Sequence, residues 1–121
     1  MYTFLFIMTM MMPILMILIG LLWKKHPPKQ INSFYGYRTA RSMQSQEAWD
    51  FAHAYHAKTW MFWGISLLIF SLAAMILIYR KENYEIYDLV IVGMQMVVML
   101  VSIVPTELAL KKKYGSGLPK D

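Results

Sequence analysis

Three long stretches without a charged side chain dominate the hydrophobic pattern of this chain. Residues 1–23 carry no charge over 23 positions, 59–79 none over 21, and 89–106 none over 18. An α-helix needs roughly 20 apolar residues to cross the hydrocarbon core of a bilayer. The first two stretches meet that length. The third meets it if it tilts little or takes in Tyr87 and Leu108 at its ends. Strands of a membrane barrel would alternate over about 10 residues, and no such segments occur. Helices buried in a water-soluble core explain the runs poorly, because almost nothing amphipathic lies between them. The pattern predicts an all-α integral membrane protein of three transmembrane helices, at about 2–23, 59–79 and 87–106, forming a single membrane domain over residues 1–121.

The polar positions refine these elements. Pro13 falls inside the first helix and predicts a kink. Trp23, Lys24 and Lys25 read as an interfacial anchor, and His26-Pro27-Pro28 ends the helix. The first run has no basic leader and no small-residue cleavage site, so it reads as a retained anchor rather than a signal peptide. Ser42 is the expected N-cap of the second helix, with Glu47 and Asp50 at its positive end. No helix breaker follows until Gly64, so the helix reaches about 55 Å by Tyr79. That exceeds a hydrocarbon core of about 30 Å. Residues 44–58 therefore form an amphipathic extension, either projecting or lying along the membrane surface. Trp49, His53, His56 and Trp60 share one face of it and read as an interfacial aromatic belt. Arg80 to Asn83 makes a turn. The third helix is expected from Tyr84–Asp88 to about Lys113, interrupted by Pro105. Gly115, Gly117 and Pro119 mark a flexible tail.

Composition agrees with this outline and adds an orientation. The chain has 121 residues, 58% hydrophobic and 16% charged, with a mean hydropathy of +0.41. Ten of its twelve Lys and Arg residues fall on one side of the three spans: Lys24, Lys25, Lys29, Arg38, Arg41, Lys58, Lys111, Lys112, Lys113 and Lys120. The positive-inside rule places the loop 24–58 and the tail 107–121 in the cytoplasm, with the N-terminus outside. The net charge of +5 then serves attraction to anionic lipid headgroups, and the bilayer is the expected partner, with no direct role for nucleic acid. The absence of cysteine removes disulfides, thiolate nucleophiles and cysteine metal sites.

Candidate chemistry concentrates in the loop at 31–43, which gathers Asn32, Tyr35, Gly36, Tyr37, Arg38, Thr39, Arg41 and Ser42 into one short connection. Loops on a rigid scaffold often carry function. Gly36 permits a turn or close approach. An extended backbone would put Tyr35 and Tyr37 on one face and Arg38 on the other. Arg38 could then grip a carboxylate with two hydrogen bonds, with Glu107, Glu47 and Asp50 as candidates. The loop reads as a clamp on the helix ends, or as a clamp that also forms a recognition surface. Gln95, mid-span, calls for a partner on another helix, with Ser66, Ser71 or Ser102 in view. His53 and His56 stand at i, i+3, whereas zinc helices more often use i, i+4, so no metal is expected. Met8, Met10, Met11, Met12 and Met16 point all round a helix and read as filler facing lipid, not as copper ligands. No nucleophile motif or phosphate loop is visible. No enzyme activity and no cofactor are expected.

The run Ile31-Asn32-x-x-Tyr35-Gly36-Tyr37-Arg38-Thr39-x-x-Ser42-Met43, followed by Trp49-x-x-Ala52, closely resembles the signature of the bacterial SdpI/YfhL family. Pro105-Thr106-Glu107, with a leucine and a lysine cluster after it, resembles the family's tail. Ala40 stands where the family often has proline, and His53 where it often has asparagine. The resemblance implies a multi-pass protein of the bacterial cell membrane. The family's named member gives immunity to a secreted peptide toxin, the sporulation-delaying protein, and holds a cognate transcriptional repressor at the membrane when toxin is present. Immunity members can be longer, with further membrane helices. A toxin peptide and a cytoplasmic regulator are thus the partners the resemblance implies. The alternatives are a membrane sensor that sequesters a repressor through its basic surface, and a small transporter subunit. A transporter or enzyme would need a homo-oligomer with a polar cavity between its helices.

Overall fold

Backbone polar groups inside a bilayer must be satisfied within their own segment or by neighbouring helices. The computed structural model describes residues 1–32 and 34–115, and the elements it forms there are all helical. They are α1 (Tyr2–Lys25), a single 3-10 turn (Ser42–Gln44), α2 (Gln46–Ile78), α3 (Tyr84–Val101) and α4 (Ile103–Tyr114). Ser33 of the loop and Gly117, Pro119 and Lys120 of the tail lie outside the described residues. Three helical stretches are long and apolar enough to cross a membrane: Tyr2–Lys25, Gln46–Ile78 and Tyr84–Tyr114. The last of these is divided into α3 and α4.

The most extensive interface joins α1 to α2. Two glycines permit it. A Cβ on Gly20 would lie 2.9 Å from the Ala57 carbonyl oxygen, and one on Gly64 would lie 3.2 Å from the Ile17 backbone nitrogen. A Cβ on Gly93 would meet nothing within 4 Å, so no close packing requires a glycine there. Met10 and Met16 are buried, which corrects the expectation that the N-terminal methionines all face lipid. Met10 packs with Met75, Ile78 and Ile91, while Met8 and Met11 point outward.

Pro13 lies within α1 and is itself buried. Having no N–H, it leaves the carbonyl of Thr9, four residues earlier, without its helical donor. Gln95 supplies that donor. Its Nε2 reaches the Thr9 carbonyl oxygen at 2.9 Å and Ser71 Oγ at 2.8 Å. One buried amide on α3 therefore repairs α1 and ties it to α2, with Ser71 the partner among the three serines considered. The Thr9 hydroxyl donates to a carboxyl oxygen of Asp88. Near the same end, the Tyr2 hydroxyl donates to the Met75 carbonyl, one of the carbonyls that the last turn of α2 leaves unpaired.

Pro105 has a different outcome. It deprives the Val101 carbonyl of a donor, and the helix breaks at Ser102, between α3 and α4, rather than at the proline itself. Trp60 Nε1 donates to Ser102 Oγ at 2.9 Å and holds the break against α2. The N-cap of α2 also differs from the expectation. Ser45, in extended conformation, accepts from Ala48 N at 3.0 Å and caps the helix. Ser42 opens the 3-10 turn instead. Because α2 is one unbroken helix, its N-terminal extension continues the line of its apolar part.

The Pro13–Gln95 pairing is open to test. Gln95→Leu is expected to destabilise the protein in detergent by about 1 kcal/mol, the usual scale of an interhelical amide bond. In a Pro13→Ala background, where Thr9 regains a helical donor, the same change should cost measurably less. Equal losses of thermal midpoint in the two backgrounds would disprove the repair.

Candidate functional site

The polar junction lies where residues 26–45 fold back onto the extension of α2 and onto α4. Pro27 and Pro28 turn the chain away from α1. The Pro28 carbonyl then accepts from Trp49 Nε1 at 2.7 Å, and the Lys29 carbonyl accepts from Gln46 Nε2 at 2.5 Å. Asn32 Oδ1 accepts from the backbone nitrogens of Phe34 and Tyr35 at 2.9 and 2.8 Å, the side-chain turn that asparagine favours.

Gly36 follows with φ +108°, a conformation that residues with a Cβ rarely adopt. This reversal breaks the alternation expected of an extended strand. Tyr35 is 62% exposed and Tyr37 only 6%, so the two tyrosines face opposite ways. A Cβ on Gly36 would also lie 2.8 Å from His53 Nε2 and 3.2 Å from Trp49.

Tyr37 is the anchor. Its N–H donates to His53 Nε2 at 2.9 Å, and its hydroxyl donates to Glu107 Oε1 at 2.6 Å. A ring nitrogen that accepts a backbone N–H carries no proton. The imidazole proton of His53 is therefore on Nδ1, which donates to the Trp49 carbonyl at 2.8 Å. Both ring nitrogens are engaged, which leaves neither for a metal ion. Among the described residues no group of three His, Asp or Glu side chains could hold one.

Glu107 is the second hub. Arg41 Nη1 donates to its Oε2 at 2.8 Å. Arg41 thus pairs with the carboxyl that the sequence offered to Arg38. The Gly36 turn and the Ser42 turn set this register. Arg38 is exposed, and Asp50 accepts from Gln46 Nε2 at 2.8 Å. Arg41 Nε is buried with no hydrogen-bond partner, which offsets part of the gain from the pair. Ser42 and Thr39 brace each other: Thr39 N donates to Ser42 Oγ at 3.0 Å, and Ser42 N to Thr39 Oγ1 at 3.2 Å.

The aromatic face of α2 is an interior surface, not a belt facing lipid. Trp49, His53 and His56 are buried. Trp23 stacks on Trp60 at 6.2 Å between ring centres and meets His53 edge-on at 4.9 Å. His56 packs against the Tyr37 ring at 4.7 Å, and its Nδ1 lies 2.8 Å from Thr106 Oγ1. Lys113 places its ammonium 4.7 Å from the Phe51 ring centre, which seats the end of α4.

These surroundings set the protonation states of a junction that lies outside the apolar spans. Burial raises the Tyr37 phenol well above its usual range, and the hydrogen bond to Glu107 adds to this. Burial lowers His53, against the opposing bond to the Trp49 carbonyl and the charge of Asp50. Burial also lowers His56, to about 4. For Glu107 burial acts upward, but the hydrogen bonds from Thr39, Tyr37 and Arg41 outweigh it and hold the carboxyl below its usual value.

The structure brings together Gly36, Tyr37, Thr39, Ser42, Trp49 and Glu107 from the expected set. Asn32 shapes the loop, and Tyr35 and Arg38 stand on its surface. Arg41, His53, His56 and Thr106 complete the junction. His53 and His56 were visible as an unusual pair among aromatics, but the Pro28 carbonyl left no signal in the sequence.

The model of the SdpI/YfhL protein family matches residues 29–106. That is well over half of the chain, which belongs to this family. A curated relative, the "Uncharacterized protein YfhL" of Bacillus subtilis (strain 168), is 51% identical over 51 residues, 42% of this chain and 46% of that protein. The match thus spans less than half the length of that relative. No solved structure matches the chain. The family model takes in the loop from Lys29, all of α2 and α3, and α4 as far as Thr106.

Two measurements probe the junction. Arg41→Ala and Glu107→Gln, made singly and together, are expected to show a coupling on the order of 1 kcal/mol, as for a partly exposed pair. Strict additivity would dismiss the ion pair as a stabilising contact. The histidines predict a pH effect. Their folded values are depressed, so below about pH 6.5 the unfolded chain takes up protons that the folded chain refuses. Their contribution is intact above that pH and is lost as pH falls. The thermal midpoint should drop between pH 7 and pH 5, and less steeply in His53→Gln, which keeps an acceptor for Tyr37 N–H without titrating. An unchanged slope in that variant would remove His53 as a cause.

Proposed function

We propose that this chain protects a bacterial cell membrane against a secreted antimicrobial peptide, by binding or excluding the peptide within or beside the bilayer, without catalysis. Family membership over residues 29–106 carries this reading. The junction chemistry supports it. Its polar groups are engaged with one another, as in a clamp: Tyr37 with His53 and Glu107, Arg41 with Glu107, Thr39 with Ser42. In the orientation we propose from the basic residues, the junction is cytoplasmic. A peptide arriving from outside first meets the helices and residues 80–88, and the clamp keeps the three helices in register beneath it.

A second reading rests on the loop surface. Phe34 is 88% exposed, and Tyr35, Arg38, Lys111 and Lys112 are exposed near the same end. Such a surface suits recruitment of an acidic patch on a cytoplasmic regulator, with charge acting mainly on steering.

Expression of the full chain in a host sensitive to the sporulation-delaying peptide should raise survival. Gly36→Val, which forces a side chain into His53, should abolish the gain, and Gly93→Val should leave it intact. Killing that is unchanged by the wild-type chain would overturn the protective reading. Co-purification of a cytoplasmic protein only when peptide is present would favour the sensor.

A further inference from the structure

The contact of α3 with α2 is slight beside that of α1 with α2. The result is a series of adjoining clefts along the α2–α3–α4 face. One of them, about 170 Å³, is lined by Trp63, Val97, Val98, Val101, Ser102 and Pro105. Toward the interior the series continues to Phe70 and Met94. Toward the basic end it continues along two neighbouring clefts that share Tyr55 and Pro105. One of these carries Lys58 and the other Lys112.

We infer that this groove binds one anionic phospholipid, with an acyl chain against Trp63, Val98 and Val101 and the phosphate between Lys58 and Lys112. Three observations select this occupant. The groove is apolar along its length and turns cationic at one end, the polarity of a lipid with an acidic headgroup. Its length fits one leaflet. From Thr59 to Phe70 the α2 rise is ~16 Å, close to half of a hydrocarbon core of about 30 Å. A spanning peptide helix would need the whole thickness. Finally, both lysines are exposed, and the ion pair found among the described residues, Arg41 with Glu107, takes in neither of them. The inference is independent of the protective role.

The test is native mass spectrometry of the full chain, purified in detergent and supplied with phosphatidylglycerol or phosphatidylcholine of identical acyl chains. The wild-type chain should retain one phosphatidylglycerol in about tenfold preference, since each lysine near a headgroup contributes several-fold. Lys58→Gln/Lys112→Gln should bring the two lipids to parity, and Lys24→Gln/Lys25→Gln, at the end of α1, should not. Val101→Trp, which fills the cleft from an exposed position, should reduce retention of both lipids. Glycerol phosphate, with no acyl chain, should not be retained. A phosphatidylglycerol preference that survives loss of Lys58 and Lys112 overturns the site. So does retention of glycerol phosphate, or a dimer that Val101→Trp dissolves.

Discussion

Tyr37 connects everything at the basic end of this protein. Its backbone N–H is held by His53 on α2, and its hydroxyl by Glu107 on α4. One residue of a loop thus fixes two helices relative to each other. Both bonds depend on the reversed backbone at Gly36, because a side chain there would occupy the space of the His53 ring edge. The tautomer of His53 follows from the same contact. Its Nε2 must accept, so its Nδ1 must donate, and the Trp49 carbonyl receives that proton. A protonated imidazole would set two N–H groups against each other, and the interior location of the ring already disfavours that state.

The opposite half of the bundle is organised by a missing hydrogen bond. Pro13 removes one donor from α1, and Gln95 replaces it from α3 while also reaching Ser71 on α2. The repair gives the three helices one shared polar node, in surroundings where water cannot substitute. Close packing alone would not have joined them. Glycines bring α1 and α2 together, but a Cβ at Gly93 on α3 would meet open space. The third helix is therefore positioned by Gln95, Asp88 and Ser102 more than by interlocking surfaces.

The spans were legible because their signal is length without charge, which needs no knowledge of neighbours. Gln95 was legible for a related reason: an amide at that depth has to find a donor or acceptor. The loop was not legible in detail. Period-2 alternation placed Tyr35 beside Tyr37, but one positive φ at Gly36 separates them. The ion pair of Arg41 with Glu107 was likewise not foreseen. Ser42 and Ser45 are equally good caps by composition. Only the braced pair of Thr39 and Ser42, which uses the hydroxyl of Ser42, leaves Ser45 to cap α2. The aromatic face read as a lipid belt because a helix pattern says which residues share a side, not what covers it. Here Trp23, the loop and α4 cover it.

The break at Ser102 joins the two halves of the molecule. Pro105 withdraws the donor of the Val101 carbonyl, the helix yields there, and Trp60 secures the bend. Beyond the bend α4 runs against the extension of α2, which brings Thr106 to His56 and Glu107 to Tyr37. The same bend exposes Val101 and Pro105 to the groove on the α2 face. Groove and clamp thus both draw on the start of α4, the groove through Pro105 and the clamp through Thr106 and Glu107. Any shift in that turn must move Glu107 relative to Arg41 and Tyr37, and the charged hydrogen bonds of the clamp oppose it.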